Sequence, residues 1–443
     1  MNRKLVSVTL TGTMMMSMLA GCGANAGQAT STSAAGSSSA AATEAASTST
    51  AAESNGNAQV ITLSGWYTED NMSSIIEAAN KQLNGEYVIE YTYYSLDDYN
   101  NILSTQLQAQ EGPDIICDGA NFPARIKAGN LVDITDQAFL ADFNDAGFAL
   151  AKDGDQIYGI PSYGWFDGVW YNADILDANG VAVPNNFDEL LEACKTLSDK
   201  GVQPLEFGLS DGDTALHSLL GLIENDYWEK DGKDFDYQFA MGEANMEGTL
   251  NEYVEHWKKM IDDGYITPEM VGISNDQALA DFIAGKCAFF NGGPWQYNNL
   301  KEAGMNFGII ANMGTSSEDH YLLGGPACCY GVNVNSANQE GAMKALAALA
   351  SLEAQQAFAD ANAGGSSYRK GVVVDVPDEY ANIKDILEKG NIACCWDRWS
   401  VNMPSQTAFD EFRAQLQGLV TGDITVDGLL QAMDNKVAEI RYQ

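Results

Sequence analysis

The stretch Val60-Ile-Thr-Leu-Ser-Gly-Trp66 has the apolar and β-branched composition of a strand, and it opens the folded part of the chain. A helix is predicted from about Ser73, because the apolar residues that follow recur at helical spacing. These residues are Ile75, Ile76, Ala79 and Leu83. Two strands follow, the alternating run Glu86-Tyr-Val-Ile-Glu-Tyr-Thr-Tyr-Tyr94 and the short buried run Pro113-Asp-Ile-Ile-Cys117. This order predicts a largely parallel sheet with helices on both faces.

A second block with the same rhythm begins after Val169. The pattern Asn186-x-x-Glu189 predicts a helix cap, and Leu205-Glu-Phe-Gly-Leu209 predicts the strand that follows. Later in the chain, Ser336-x-x-Gln339 is predicted to cap an Ala-rich helix, and Thr425 to open the terminal helix. The body from residue 59 to residue 443 is too long for one ordinary core, so two domains are expected.

Five stretches carry a resemblance to a known family. They are, in order, Gly112-Pro-Asp-Ile-Ile116; Tyr158-Gly-Ile-Pro161 with Val169-Trp-Tyr-Asn172; Gly285-Lys-Cys-Ala-Phe-Phe-Asn-Gly-Gly-Pro-Trp295; Gly324-Gly325 with Tyr330-Gly-Val-Asn-Val-Asn335; and Asp423-Ile-Thr-Val-Asp-Gly-Leu-Leu430. In this order, over nearly the whole body, they resemble the extracellular solute-binding proteins of ABC importers. The resemblance is to the type that binds maltodextrins and oligosaccharides.

The resemblance implies an α/β, two-lobed fold like that of the periplasmic binding proteins, each lobe a mostly parallel sheet flanked by helices. Lobe I is expected to comprise residues 59–164 and about 320–352, and lobe II residues 165–319 and about 353–443. The ligand would lie in the cleft between the lobes, where open α/β sheets generally bind. The resemblance further implies a monomer that closes on its ligand by hinge bending and is then recognised by a membrane permease.

The first residues have the layout of a secretory signal. A positive head, Asn2-Arg3-Lys4, precedes the mostly apolar run from Leu5 to Met18, which is too short for a spanning helix of about 20 residues. The ending Leu19-Ala-Gly-Cys22 resembles the bacterial lipobox. We therefore expect a lipoprotein signal peptide over residues 1–21 and a diacylglyceryl group on Cys22. The alternative is an ordinary secretion signal with an incidental cysteine.

Residues 22–58 are predicted to be a flexible linker, because Ala, Ser and Thr dominate and cannot form a core. Two acyl chains on Cys22 would suffice for stable anchoring. The expected location is therefore the outer face of the cell membrane, with the lipid as the only membrane contact. We expect a Gram-positive host.

The charge balance excludes one class of partner. The chain has 61 acidic and 23 basic side chains and a formal net charge of −38. Such a body is repelled by phosphate backbones, so binding to nucleic acid is not expected. We interpret the charge as a device for solubility.

The body contains seven cysteines, which are Cys117, Cys194, Cys287, Cys328, Cys329, Cys394 and Cys395. None has Cys-x-x-Cys spacing, and most lie in apolar runs. They are predicted to be free buried thiols. With no other metal or cofactor motif in the chain, neither a metal nor a cofactor is expected.

A sugar is the ligand that the residues favour. The apolar faces of a pyranose stack on aromatic rings, and its hydroxyl groups need planar polar partners. The predicted stacking platforms are Trp66, Trp165, Trp295, Trp396 and Trp399. The predicted hydroxyl partners are Glu69, Asp118, Asn121, Asp211, Asp213 and Arg398. Gly325, in the return to the first lobe, is the last of the predicted ligand-binding residues. The match to the family is best at Trp295 and in the loop 117–122.

Enzymatic functions are the main alternatives. The run Gly208-Leu-Ser-Asp-Gly212 matches the G-x-S-x-G nucleophile elbow, but the nearest histidine, His217, lies on the same element and suits a triad poorly. A surface-anchored glycoside hydrolase is another alternative; one of the retaining type would need two carboxyl groups about 5 Å apart, which spacing in sequence does not test. A carbohydrate-binding adhesion or sensory module without a transport role is a third alternative. We predict a binding protein that is not an enzyme.

Overall fold

The computed structural model describes residues 58–210, 213–316, 320–362 and 365–442. The predicted signal peptide, Cys22 and the linker up to residue 57 lie outside the described residues, as does Asp211. Within the described part of the chain, no helix is long and apolar enough to cross a membrane.

Eleven strands are found in the described ranges. They are β1 (Gln59–Gly65), β2 (Tyr87–Tyr93), β3 (Ile115–Asp118), β4 (Lys152–Asp153), β5 (Gln156–Ile157), β6 (Ile160–Asn172), β7 (Gln203–Glu206), β8 (Cys287–Gly292), β9 (Phe307–Ala311), β10 (Leu322–Val332) and β11 (Ile392–Ala393). Strands β4 and β5 form a separate hairpin. The other nine form one sheet in the order β2-β1-β3-β10-β6-β8-β7, with β11 paired to β10 and β9 to β6.

Fifteen α-helices are found in the same ranges. They are α1 (Glu69–Gln82), α2 (Leu96–Gln108), α3 (Phe122–Lys127), α4 (Ala173–Asn179), α5 (Phe187–Asp199), α6 (Thr214–Ile223), α7 (Phe235–Met241), α8 (Asn251–Asp262), α9 (Asn275–Ile283), α10 (Tyr297–Glu302), α11 (Gln339–Leu349), α12 (Leu352–Ala361), α13 (Lys384–Lys389), α14 (Ser405–Thr421) and α15 (Val426–Ile440). A π-helical turn (Glu224–Trp228) continues α6, and a 3₁₀ turn (Asp397–Val401) follows β11.

Two long strands, β6 and β10, carry the chain between the two halves of the sheet. They pair antiparallel with each other along most of their length. The far end of β10 pairs with β3, whereas the far end of β6 pairs with β8 and β9. These contacts are antiparallel, while β1 pairs in parallel with β2 and β3, and β7 with β8. The sheet is therefore more mixed than the expected mostly parallel one, because β6 leaves one half and β10 returns to it.

The crossing is packed too closely for added side chains. A Cβ atom on Gly164 would lie 1.9 Å from Oγ of Ser366, and one on Gly324 would lie 2.2 Å from the carbonyl oxygen of Trp165. Real Cβ atoms essentially never approach other heavy atoms so closely. At Gly324 glycine is therefore required by space and not by backbone conformation, because the contact is with backbone, whereas a Cβ on Gly164 would displace the hydroxyl of Ser366.

The buried apolar side chains form two cores, one on each half of the sheet. The first core draws on residues 61–160 and 328–358, and the second on residues 166–323 and 380–437. The two-lobed α/β architecture expected from the sequence is thus found. The boundary expected near residue 352 differs, because Ala354 and Phe358 of α12 pack in the first core. The ring of Phe358 meets those of Tyr67 and Tyr163 edge-on, which places α12 with lobe I.

Two residues predicted to bind ligand, Arg398 and Trp399, instead stabilise the second core. The guanidinium of Arg398 binds the buried carboxylate of Asp236, with Nε 3.0 Å from Oδ2, and also pairs with Asp234. Trp399 is only 1% exposed, and its ring packs against Phe239. The prediction was wrong for both side chains, because the 3₁₀ turn directs Trp399 into the core of lobe II and Arg398 toward the carboxylates of Asp234 and Asp236.

We expect Phe358→Ala to lower the free energy of unfolding by about 3–5 kcal/mol, because it leaves a cavity beneath α12. Urea unfolding followed by circular dichroism would measure the change. Val373→Ala, at a side chain that is 72% exposed, serves as a control and should change stability by no more than about 0.5 kcal/mol. A loss below about 1 kcal/mol for Phe358→Ala would show that α12 does not contribute to the core.

Asp397, the residue before Arg398, gives stability a pH dependence. Burial raises the pKa of its carboxyl group to about 7, and the hydrogen bond with Cys394 offsets only part of that rise. In the unfolded chain the pKa of this carboxyl group is about 3.9. The free energy of unfolding therefore falls as the pH rises from about 4 to about 7, and this loss stays constant at higher pH.

We therefore expect Asp397→Asn to be more stable than the wild type at pH 8, by up to about 4 kcal/mol, and the two to converge near pH 4. Urea unfolding of both proteins at these two pH values measures the difference, which cancels the contribution of the other carboxyl groups. A stability difference that is equal at both pH values would contradict the assignment.

Candidate functional site

A cavity of about 550 Å³ opens between the two cores. It lies where β1, β3 and β8 end, so the loops that follow the carboxyl ends of these strands meet there. The first lobe and the crossing line it with Trp66, Tyr67, Asn71, Asn100, Asp118, Gly119, Ala120, Asn121, Tyr163, Trp165, Ala327, Ala361 and Asn362. The second lobe lines it with Asp213, His217, Pro294, Trp295, Asn298, Trp396, Ser405, Gln406 and Phe409.

Aromatic rings form a wall on the second lobe. The ring centroid of Trp165, on β6, lies 6.5 Å from that of Trp295 and 6.2 Å from that of Trp396. His217 stacks on Trp396 at 5.6 Å with an interplanar angle of 15°, and Phe409 closes the group at 5.0 Å from Trp396. Trp295 is 51% exposed, which is rare for so large an apolar side chain. The wall therefore presents aromatic surface that no other part of the described chain covers.

A second aromatic group stands on the first lobe. Trp66 stacks on Tyr67 with 5.8 Å between ring centroids and meets the buried ring of Tyr99 edge-on at 5.4 Å. The hydroxyl of Tyr99 donates to the carbonyl oxygen of Cys117, 2.6 Å away, and this bond fixes the ring beneath the loop after β3. Each lobe thus contributes aromatic surface to the same cavity.

Polar side chains surround these rings. Asp118, at the end of β3, is 1% exposed and accepts from Nε of Arg125 and from the backbone N–H of Gly119, both at 2.9 Å. Burial raises the pKa of Asp118, and the nearby guanidinium opposes that rise. Across the cavity, Asp213 accepts from Nη1 of Arg413 at 3.0 Å. Each carboxylate is thus held by an arginine while it faces the cavity.

One buried polar network next to the wall was missed by the sequence analysis. Asp167 is fully buried on β6, and its carboxylate lies 3.2 Å from Nδ1 of His217. Its other oxygen accepts from the side-chain amides of Asn312, at 2.7 Å, and Asn291, at 3.3 Å. The network holds the imidazole in the cavity wall. A signal was present, because Asp167 is the single charged residue of a strand that is otherwise mostly apolar and aromatic.

Seven of the twelve predicted ligand-binding residues line the cavity together. They are Trp66, Asp118, Asn121, Trp165, Asp213, Trp295 and Trp396. Glu69 does not line it and instead lies in the first turn of α1, where a negative charge suits the helix dipole. Gly325 lies beneath the wall on β10, paired with Trp165, where a Cβ would stand 3.7 Å from the carboxylate of Asp397.

Further polar and aromatic residues line the cavity beside those predicted from the sequence. Tyr67 and Asn71 flank the loop after β1, Asn298 follows Trp295 in the next helix, and Asn362 ends α12. Tyr67, Asn71 and Asn298 lie in loops or first helical turns after strand ends, and this position was the signal available in the sequence. Asn362 could not be assigned, because α12 was expected in the other lobe.

The nucleophile-elbow motif does not lie in this cavity. Ser210 is exposed, does not line the cavity, and uses its backbone N–H to bind the carbonyl oxygen of Ile273. The imidazole of His217 faces Asp167 instead. Within the described ranges, no group of three or more His, Cys, Asp or Glu side chains is arranged to hold a metal ion.

Comparison with known proteins agrees with this architecture. The Multiple sugar-binding protein of Streptococcus mutans is 21% identical over 288 residues, which cover 63% of this chain and 68% of that protein. A family 1 extracellular solute-binding protein from Bifidobacterium longum subsp. infantis superposes with a TM-score of 0.72 at 24% identity, over 87% of this chain and 100% of that one. A sugar transporter protein from Bacillus licheniformis, solved in complex with stachyose, gives a TM-score of 0.64 at 20% identity, over 85% and 98%.

These structural similarities are evidence for the fold alone. The sequence model of a family described as bacterial extracellular solute-binding protein matches residues 74–384, which are 311 of the 443 residues. The match spans both cores and both crossing strands. The chain therefore belongs to the bacterial extracellular solute-binding protein family.

Proposed function

We propose that this protein captures a sugar, expected to be an oligosaccharide, between its two lobes and delivers it to the permease of an ABC importer. The observation that carries the proposal is the cavity, in which aromatic rings from both lobes face a rim of amides and carboxylates. A cavity of about 550 Å³ falls within the usual range for small-ligand sites. The sugar-binding relatives support the same ligand class.

The chemistry of the walls fits a neutral sugar. The exposed face of Trp295 and the ring of Trp165 offer flat apolar surface to the CH faces of a pyranose. Asp118 and Asp213 can accept hydrogen bonds from its hydroxyl groups, because their arginine partners leave them facing the cavity. The proposed ligand contacts are these four side chains together with Trp66, Asn121 and Trp396.

We further propose that a lipid on Cys22 tethers the protein to the outer face of the membrane and that residues 22–58 act as a flexible spacer. The lipobox-like ending and the Ala/Ser/Thr-rich composition support this arrangement. The family is one of extracellular proteins, which agrees with a signal peptide over residues 1–21.

Binding without catalysis is the role that the side chains favour. A glycosidase needs one carboxyl group that can donate a proton and a second one that attacks or activates water. Each of the two carboxylates that line the cavity already accepts a hydrogen bond from an arginine, and this fixed geometry suits an acceptor for ligand hydroxyl groups. The similar proteins are binding proteins, and this also supports a role without chemistry.

The direct test is calorimetric titration of the purified protein with melibiose, raffinose, stachyose, maltodextrins and, as a control, free amino acids. Chromatography of the recovered ligand follows in the same samples. Saturable binding of one sugar at micromolar concentration, with that sugar recovered intact, is the expected result. Cleavage of the sugar would establish a hydrolase, and binding of the amino acids alone would overturn the sugar assignment.

We expect Trp295→Ala to weaken binding of that sugar by about 2–4 kcal/mol, or ~30- to 700-fold in Kd, because it removes the most exposed stacking surface of the wall. Calorimetry measures Kd without depending on indole fluorescence. Tyr237→Ala is the matched control, since its ring is 41% exposed and lies outside the cavity. A folded Trp295→Ala protein with unchanged Kd would remove Trp295 from the site.

A further inference from the structure

Two thiols of the first core lie in contact although they are far apart in the sequence. Sγ of Cys117 is 3.2 Å from Sγ of Cys328, across 211 residues of chain. Both side chains are buried, with exposures of 1% and 0%. The contact exists because β3 and β10 pair antiparallel, with Cys117 opposite Tyr330 and Asp118 opposite Cys329.

An irregularity in β10 directs Cys328 toward its partner. The pairing of β10 with β6 shifts register on both sides of Cys328, between Pro326 and Cys328 and again between Cys328 and Cys329. Bulges of this kind redirect side chains. Oγ of Ser162 lies 2.9 Å from Sγ of Cys328 and donates to its carbonyl oxygen at 3.0 Å, so the turned side chain is held in place.

We propose that Cys117 and Cys328 form a structural disulfide when the chain folds outside the cytoplasm. A disulfide places its sulfurs about 2.0 Å apart, so these two need to approach by only about 1.2 Å. The family is extracellular, and disulfides form and persist in such oxidising surroundings. All seven body cysteines are free and buried in this structure, as predicted, and oxidation would link two of them.

The oxidant that the reaction requires is a small-molecule disulfide. The thiolate of Cys328 attacks one of its sulfurs and releases one thiol, and the thiolate of Cys117 then attacks the mixed disulfide and releases a second thiol. Two electrons pass to the oxidant, and the two protein thiol protons end on the two released thiols. Burial raises the pKa of Cys117, which disfavours the thiolate in the folded protein. The exchange therefore takes place during folding, before β10 packs against β3.

The bond would lie directly beneath the floor of the cavity. Gly119 follows β3 and Ala327 precedes Cys328, and both line the cavity. The two segments already touch, since a Cβ on Gly119 would lie 2.9 Å from the carbonyl oxygen of Ala327. Closing a loop of this length restricts the unfolded chain strongly, so the bond is expected to stabilise the folded protein.

Peptide mapping of the full chain tests the proposal. The protein is refolded in a buffer of oxidised and reduced glutathione, alkylated, and digested with trypsin without reduction. We expect peptide 82–125, which contains Cys117, to be linked to peptide 302–344, which contains Cys328 and Cys329. The mass of the linked pair is two hydrogens below the summed masses of the two free peptides. Its signal disappears after treatment with dithiothreitol. Recovery of both peptides only in their alkylated forms would overturn the proposal.

Two matched variants identify the sulfur on β10. Cys329→Ala should retain the linked peptide, whereas Cys328→Ala should lose it. A linked peptide that survives in Cys328→Ala would mean that Cys329 is the partner, which contradicts the proposal. In the wild type, dithiothreitol should lower the urea midpoint of unfolding, and an unchanged midpoint would exclude a structural role for the bond.

Discussion

The antiparallel pairing of β6 with β10 is the constraint on which the rest of the molecule depends. Each of these strands is long enough to pair with its neighbour and also with strands of one lobe, so a single sheet continues from one core to the other. The two lobes are therefore joined by hydrogen-bonded strands of one sheet. The cavity exists because the loops of both halves extend past the edge of this shared sheet.

The same pairing gives the aromatic wall its support within the protein. Trp165 is on β6, so the strand holds its backbone in place, and the rings of Trp295 and Trp396 pack against its ring. Two positions further along, Asp167 is buried under the wall and holds His217 against Trp396. A preorganised wall loses little side-chain freedom on binding, which favours affinity.

The local features of the fold could be predicted from the sequence, because they depend on neighbouring residues. Asn186 caps α5 and Thr425 caps α15 as expected, each accepting a backbone N–H three residues on. The predicted cap at Ser336 was wrong, because Ser336 donates to Asp114 and Asn338 accepts the N–H of Gly341 instead. That exchange depends on Asp114, which lies 222 residues away in the sequence.

The composition of the site was predictable, but the direction of each side chain was not. Trp396 and Trp399 are three residues apart and have the same chemistry, yet one lines the cavity and the other is buried in the core. Their directions are set by the 3₁₀ turn and by the ion pair of Arg398 with Asp236, neither of which has a local signal. Asp167 stands out in the sequence as the one charged residue of β6, but its role could not be predicted, since its partners come from three other segments.

The tight packing of Gly164 and Gly324 has a consequence for how such proteins diversify. No side chain larger than hydrogen fits at Gly324, and one at Gly164 would displace the hydroxyl of Ser366, so mutations at these points of the crossing are expected to destabilise the fold. The cavity walls are free of this restriction, because Trp295 is half exposed and Asn121 and Asn298 lie in a loop and a short helix. Descendants of one ancestral gene can therefore acquire new ligands through wall substitutions while they inherit the crossing unchanged.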